Sequence, residues 1–398
     1  MCGLIHVTKR RNLLYVIYSM IYYFLRKVDL IIINKKYKYN DSLIFTLLMV
    51  LGEFFGGFTV YIYLNHFSKQ ENNKAKKHLG IELIQKNIIM KSPDSKSKII
   101  LLLFFTSYFD FVEFVISSFY MPKYQVLSPT AESRFGGGII ILAALICHFV
   151  LRIKILKHQF YSLIIIGICL ATITALEIIY RGKGSSISDF CFAHLLVLAY
   201  LIFVPFADVI EKYLIEFNFI NPFLILMIEA LFGFIFVGIY STRENPFKGF
   251  KRINEEYSTG EFILFIFLLF IYFVLSAGSN IYRILTNGLF SPMVKTLSVY
   301  ILNPFIYIYY FVIEYDFLSE GERNWIYFIV NIIISIIISF FGCVFNEFLV
   351  LSFCGLDHET HYSVSKRATD EEIYENSSLL DDSDVNSEGL EGIEFIIH

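Results

Sequence analysis

Ten ionisable side chains stand in or at the ends of long apolar runs: Glu53, Asp110, Glu113, Glu132, Arg134, Asp208, Glu211, Glu229, Arg283 and Lys295. A charge at the centre of a membrane helix costs roughly 2.5–3.5 kcal/mol on insertion scales, so a chain that keeps many buries them against one another or against water. Asp110 and Glu113 are three residues apart, as are Asn280 and Arg283, which sets each pair on one helix face. Acids on one helix and bases on another would give a cavity an electrically polarised floor, suited to a zwitterion or to an anion with a polar head. Arg134 and Lys295 open helices that begin Ser-Pro, where the chain departs from regular helix, and Glu132 lies two positions before Arg134 and so points elsewhere around the axis. Asn303-Pro304 interrupts a further run, and a proline there frees a carbonyl one turn back. The candidate solute-binding residues are therefore Asp110, Glu113, Glu132, Arg134, Asn280, Arg283, Lys295 and Asn303. The plainer reading of the same acids is structural ion pairing between helices. Glu53 and Glu229, each four residues before a Gly-Phe pair, read as structural groups beside close-packing glycines. Asp208 and Glu211 read as the end of a helix beside Lys212.

The elements that must hold these groups follow from composition. At 56% hydrophobic and 17% charged residues, with mean hydropathy +0.61, the chain has too few polar residues to cover a soluble globule of 398 residues. A helix needs about 20 apolar residues to cross the hydrocarbon, and ten runs qualify: roughly 12–34, 42–66, 98–121, 128–151, 160–180, 190–214, 219–241, 262–285, 288–313 and 325–353. They are continuous, without polar–apolar alternation, so an all-α polytopic membrane protein is expected rather than a barrel.

The landmarks occur twice, in the same order. Glu53–Phe58 (EFFGGF) matches Glu229–Phe234 (EALFGF), Asp110-x-x-Glu113 matches Asn280-x-x-Arg283, and Ser128-Pro129 matches Ser291-Pro292. This predicts ten transmembrane helices arranged as two inverted five-helix repeats, 1–185 and 186–353. Duplication of this kind places a solute site where the halves meet. An acidic tail over 354–398, rich in Ser and Asn, is expected to be disordered.

Lys9, Arg10 and Arg11 precede the first run, and the 67–98 linker holds eight Lys against three acids, so both are expected in the cytosol, with both termini. The first run is the poorest, interrupted by Arg26, Lys27 and Asp29, and a nine-span chain stays open. No small-residue cleavage site follows that run, so no removed signal peptide is expected. Four of the six cysteines (Cys147, Cys169, Cys191 and Cys343) lie in apolar runs without CxxC spacing and read as small buried hydrophobes. Cys2 is a weak palmitoylation candidate. Asn40-Asp-Ser and Asn376-Ser-Ser match glycosylation sequons, but the first abuts a span and the second is expected in the cytosol. In the tail, Glu375-Asn-Ser-Ser-Leu379-Leu380 fits the acidic dileucine pattern read by sorting adaptors.

The order of these landmarks resembles the drug/metabolite transporter superfamily, and within it the nucleotide-sugar-transporter-like solute carriers of the F branch, most of all a lysosomal member. The residues that carry it are Leu51-Gly52-Glu53-Phe54, Arg134 with Leu151-Arg152-Ile-Lys154, Glu211-Lys212-Tyr213, Asn221-Pro222, Glu229–Phe234 and Lys295, covering roughly 40–353. Glu132 and the Ser-Pro pairs depart from the family pattern. The resemblance implies two inverted five-helix repeats and transport by alternating access, with a cavity that includes helices four and nine. It implies no particular solute.

The expected function is thus secondary transport of a polar organic solute, anionic or zwitterionic, in a lysosomal, endosomal or Golgi membrane. Protonation of Asp110, Glu113 or Glu132 would couple it to protons. The expected partners are the solute, the lipid bilayer, clathrin-adaptor complexes at the tail and a second copy in a homodimer. No cofactor, metal, nucleic acid or enzymatic activity is expected. The alternatives are a non-transporting scaffold acting through its tail and a membrane transferase, which the scattered His148 and His194 disfavour.

Overall fold

The computed structural model describes residues 5–7, 13–39, 41–64, 95–116, 131–150, 154–181, 187–242, 248–313 and 324–352, with 152, 355–358, 360, 363 and 367 beyond them. The described residues form twelve helices and one two-stranded clasp. The helices are α1 (Leu13–Tyr37), α2 (Ser42–Ile62), α3 (Lys96–Val115), α4 (Ala131–Val150), α5 (Lys157–Arg181), α6 (Ile187–Asn218), α7 (Pro222–Ser241), α8 (Lys248–Glu256), α9 (Thr259–Leu289), α10 (Pro292–Tyr300), α11 (Asn303–Ile313) and α12 (Trp325–Phe345). Strand β1 (Ile5–Val7) pairs antiparallel with β2 (Leu349–Leu351), Ile5 opposite Leu351.

Local chemistry sets several helix starts. Asp41, Ser95, Asn221, Ser258 and Asn324 each accept a backbone N–H of the first turn of α2, α3, α7, α9 and α12. Ser258 and Glu261 have the spacing of a capping box, and Pro222 fills the first position of α7, where a missing N–H costs nothing.

Each of the ten apolar runs carries helix, and among the described residues six helices are long and apolar enough to cross a membrane: α2, α5, α6, α7, α9 and α12. Large apolar side chains such as Phe149, Ile179 and Val312 are exposed, while Glu211, Asp208, Glu229 and Asn287 are at most 2% exposed. That distribution is inside out for water and right side out for lipid. The chain is an all-α, multi-pass membrane protein.

Two prolines act differently on the spans, and one cysteine departs from the sequence expectation. The 288–313 run is two helices, because the chain leaves helix at Ile301 and Leu302 and Asn303-Pro304 starts a new one. Pro205 does not end α6, which runs on for 13 residues. Cys191 is exposed, whereas Cys147 and Cys169 are buried as expected.

Small residues let the backbones close on one another. A Cβ on Gly52 would stand 2.8 Å from Ala277 N and 2.9 Å from Phe273 O, so α2 lies directly on the backbone of α9. On the other side of α2, Gly57 faces the Phe223 carbonyl of α7. Gly137 and Gly138 of α4 instead meet side chains, Ile338 and Leu170 for the first and Leu201 for the second.

End-to-end contacts sort the helix ends onto two faces. On one face, Arg252 of α8 donates to the carbonyls of Tyr37 and Lys38 at the end of α1, and Tyr37 donates to Glu261 at the start of α9. On the other, Lys98 at the start of α3 meets Tyr213 near the end of α6, and Lys212 donates to Gly288 and Phe290 at the end of α9. There too, Gln159 at the start of α5 donates to Phe345 at the end of α12, beside the β1–β2 clasp.

Candidate functional site

Arg283 stands among four carboxylates from four other helices. Its Nη2 donates to Glu53 Oε1 of α2 at 3.1 Å and lies 3.1 Å from Glu211 Oε1 of α6 and 3.9 Å from Glu229 Oε2 of α7. Its Nη1 is 3.9 Å from Asp110 Oδ2 of α3. One turn on, Asn287 donates from one amide nitrogen to Glu211 Oε2 (2.7 Å) and to the Asp208 carbonyl (2.9 Å). Lys295, in the first turn of α10, is paired with the carboxylate of Asp208. Six helices thus converge on one buried network that mixes residues from both halves of the sequence.

Helical spacing explains the convergence. Asp208 and Glu211 share a face of α6, as do Arg283 and Asn287 on α9, so the two helices meet along a polar seam. Gly52 and Gly56 bring α2 close to α9 and thereby deliver Glu53 to the guanidinium. Ser107 of α3 donates to the Glu229 carbonyl, which fixes α3 and α7 together beside the acids they supply.

The balance of charge decides what the network can hold. Glu53, Asp110, Asp208, Glu211 and Glu229 face Arg283 and Lys295, five carboxylates against two cations. Lys212 does not alter the balance, since its ammonium is held by Glu216 at 2.7 Å. A low-dielectric interior penalises uncompensated charge steeply, so the network favours a guest that brings positive charge.

Of the residues singled out from sequence, Asp110, Arg283 and Lys295 are in this network. Asn280 is buried one turn before Arg283 on α9, and Asn303 is buried at the break before α11. Glu113 lies one turn beyond Asp110 and is half-buried; it is Asp110 that α3 turns to Arg283. Glu132 and Arg134 belong to the first turn of α4, and their side chains lie outside the described residues, as do Ser128-Pro129 and the tail motif Glu375, Leu379 and Leu380.

Four network residues were assigned elsewhere from sequence. Glu53 and Glu229 do sit beside close-packing glycines, but their carboxylates turn to Arg283. Asp208 and Glu211 are not a helix end; seven residues of α6 follow Glu211, and both side chains are buried. A signal was present. Asp208-x-x-Glu211 repeats the three-residue spacing of Asp110-x-x-Glu113 and Asn280-x-x-Arg283. Asn287, missed altogether, is four residues from Arg283 and so on its face.

Compared with known proteins, the chain matches no family model and no curated sequence.

Proposed function

We propose that the protein is a secondary transporter that moves a polar organic solute by alternating access, with the buried charge network as its solute site. The observation that carries the reading is the convergence of Glu53, Asp110, Asp208, Glu211, Glu229, Arg283 and Lys295 from six helices inside an apolar bundle. A purely structural role would be served more cheaply by apolar contacts, because buried ion pairs seldom repay their desolvation. The excess of carboxylates favours a zwitterion, its ammonium taken by the acids and its anionic end by Lys295.

The arrangement of helices supports ten crossings in two related halves. Exchanging α1–α5 with α6, α7, α9, α10–α11 and α12 turns the α1–α9 contact into α6–α3, α2–α9 into α7–α3 and α1–α10 into α6–α4, all of which occur. The counterparts α2 and α7, α4 and α10, and α5 and α12 also touch. Helix ends alternate between the two faces, and the β1–β2 clasp holds the N-terminal strand beside the end of α12, as an even number of crossings requires. Ten helices in two inverted repeats are what the drug/metabolite transporter resemblance implies. With the basic 67–98 linker in the cytosol, both termini are cytosolic, and the tail dileucine directs the protein to an endolysosomal membrane.

The test is a thermal-shift screen of the detergent-purified protein against amino acids, small peptides, nucleotides and nucleotide sugars, repeated with Lys295→Ala. A solute that stabilises the wild type and not the folded variant supports the reading. No stabilisation by any of them removes it in favour of a scaffold acting through its tail.

A further inference from the structure

Within the network, Asp110, Glu211 and Glu229 are set apart from the rest by geometry. One carboxylate oxygen from each lies within 4.8 Å of the other two. Hard divalent cations take oxygen ligands at about 2.0–2.6 Å, so two ligands across one ion stand roughly 4–5 Å apart. The three oxygens therefore have the spread of a coordination sphere without any movement of the helices.

Glu229 supplies the independent observation. It is 2% exposed, and neither of its carboxylate oxygens has a hydrogen-bond partner among the described residues. Its nearest cation is Arg283, and the Nη2 that approaches to 3.9 Å already lies 3.1 Å from both Glu53 and Glu211. At 3.9 Å that contact is an ion pair beyond hydrogen-bond reach, and the hydrogen bond that Nη2 makes goes to Glu53 instead. Glu229 is thus a fully buried carboxylate aimed at two other acids, with one distant counter-ion shared among four carboxylates and no hydrogen-bond donor of its own.

We infer that Asp110, Glu211 and Glu229 bind a hard divalent cation at the junction of α3, α6 and α7. All three ligands are oxygens, which suits Mg2+, Mn2+ or Ca2+ and gives a thiophilic metal nothing to prefer. Arg283 donates to Glu53, and Asn287 fixes the Glu211 carboxylate through Oε2, while Glu211 Oε1, 3.1 Å from the guanidinium, accepts no hydrogen bond. A metal site was not legible in the sequence, because the ligands come from three separate helices with no motif spacing. The inference deepens the transport reading, since the cation would be the ion that moves with the solute or gates it, but the site is defined by binding alone.

The experiment titrates the full-length, chelator-stripped protein in detergent with Mn2+, following free Mn2+ by its electron paramagnetic resonance signal, with no solute present. One saturable ion per chain is expected, displaced by Mg2+ or Ca2+. Glu229→Gln and Asp110→Asn should each weaken binding at least tenfold, while Asp382→Asn in the acidic tail leaves it unchanged. Asp110 is 30% exposed, so its variant keeps the test decisive if Glu229→Gln does not fold. Absent binding, or binding equal in the wild type and both site variants, overturns the inference. Solute stabilisation without Mn2+ binding would leave the transport reading standing and remove this one; Mn2+ binding with no solute found would do the reverse.

Discussion

Two buried regions of this bundle solve the same packing problem in opposite ways. Around α4, α5, α10 and α12 the core is mainly apolar: Ile140, Ala143, Ile166, Ile173, Leu297 and Ile338 interlock with Cys147, Cys169 and Tyr300. Around α2, α3, α6, α7 and α9 the interior carries five carboxylates, one guanidinium and an asparagine with both amide protons in use. Both regions are as tightly closed, and Gly342 of α12 meets Leu297 as closely as Gly52 of α2 meets the α9 backbone. The charged groups of the first region, Lys295 and the His158–Glu347 pair, lie at or just beyond helix ends, so the mid-helix charges of the second are not a general requirement of the fold. The difference teaches that one bundle can close mainly on apolar contacts in one region and on shared charge pairs in another.

The largest expected effect comes from removing the shared cation. Arg283→Met strands Glu53, Asp110, Glu211 and Glu229 together and should cost about 3–5 kcal/mol, the range for breaking a buried pair. Thermal unfolding monitored by size-exclusion fluorescence should show it, with recovery of part of the loss in the Arg283→Met, Glu53→Met double variant. A wild-type melting temperature for the single variant would erase the distinction between the two regions.

Ile338→Ala tests the apolar side. Ile338 is fully buried and lies 3.1 Å from where a Cβ on Gly137 would stand, so the cavity should cost about 2–4 kcal/mol. Solute affinity and Mn2+ binding should be unchanged once the variant is folded. A variant that loses either at full occupancy of the folded state would show that the apolar core shapes the site after all.

Gly52→Ala is smaller and sharper. The new methyl would meet backbone atoms of α9, which cannot rotate away, and overpacking of this kind costs about 1–3 kcal/mol. Because α2 carries Glu53 with it, Mn2+ or solute affinity should fall together with the melting temperature. At Gly138, whose nearest neighbour is the end of the Leu201 side chain, the same substitution should shift only stability, and less.

The smallest effect is expected at a helix start remote from both regions. Asn324→Ala removes the acceptor of the Ile326 N–H at the beginning of α12 and should cost about 0.5–2 kcal/mol, with binding untouched. Hydrogen exchange confined to the first turn of α12 would localise it.

How much of this was legible beforehand depended on whether a signal was local. The helical class, the helix at each apolar run and the break at Asn303-Pro304 are written in short stretches of sequence, because apolar length and proline act on their own neighbours. Arg283, Lys295 and Asp110 were legible as candidates for the same reason: a charge in an apolar run is costly wherever the helix packs. Their partners were not. Glu53 and Glu229 were overshadowed by adjacent glycines, and Asp208 and Glu211 by an adjacent lysine, although each pairing is made across more than 50 positions of chain.

The sequence by itself determined that charges would be buried in a membrane-spanning helical bundle, since hydropathy and charge are properties of residues. Only the tertiary structure decided which charges share a cation and which acid is left without a hydrogen-bond donor. That is a matter of interhelical distance, set by where Gly52, Gly56 and Gly57 let backbones touch, and distances between separate helices are fixed by packing rather than by spacing along the chain.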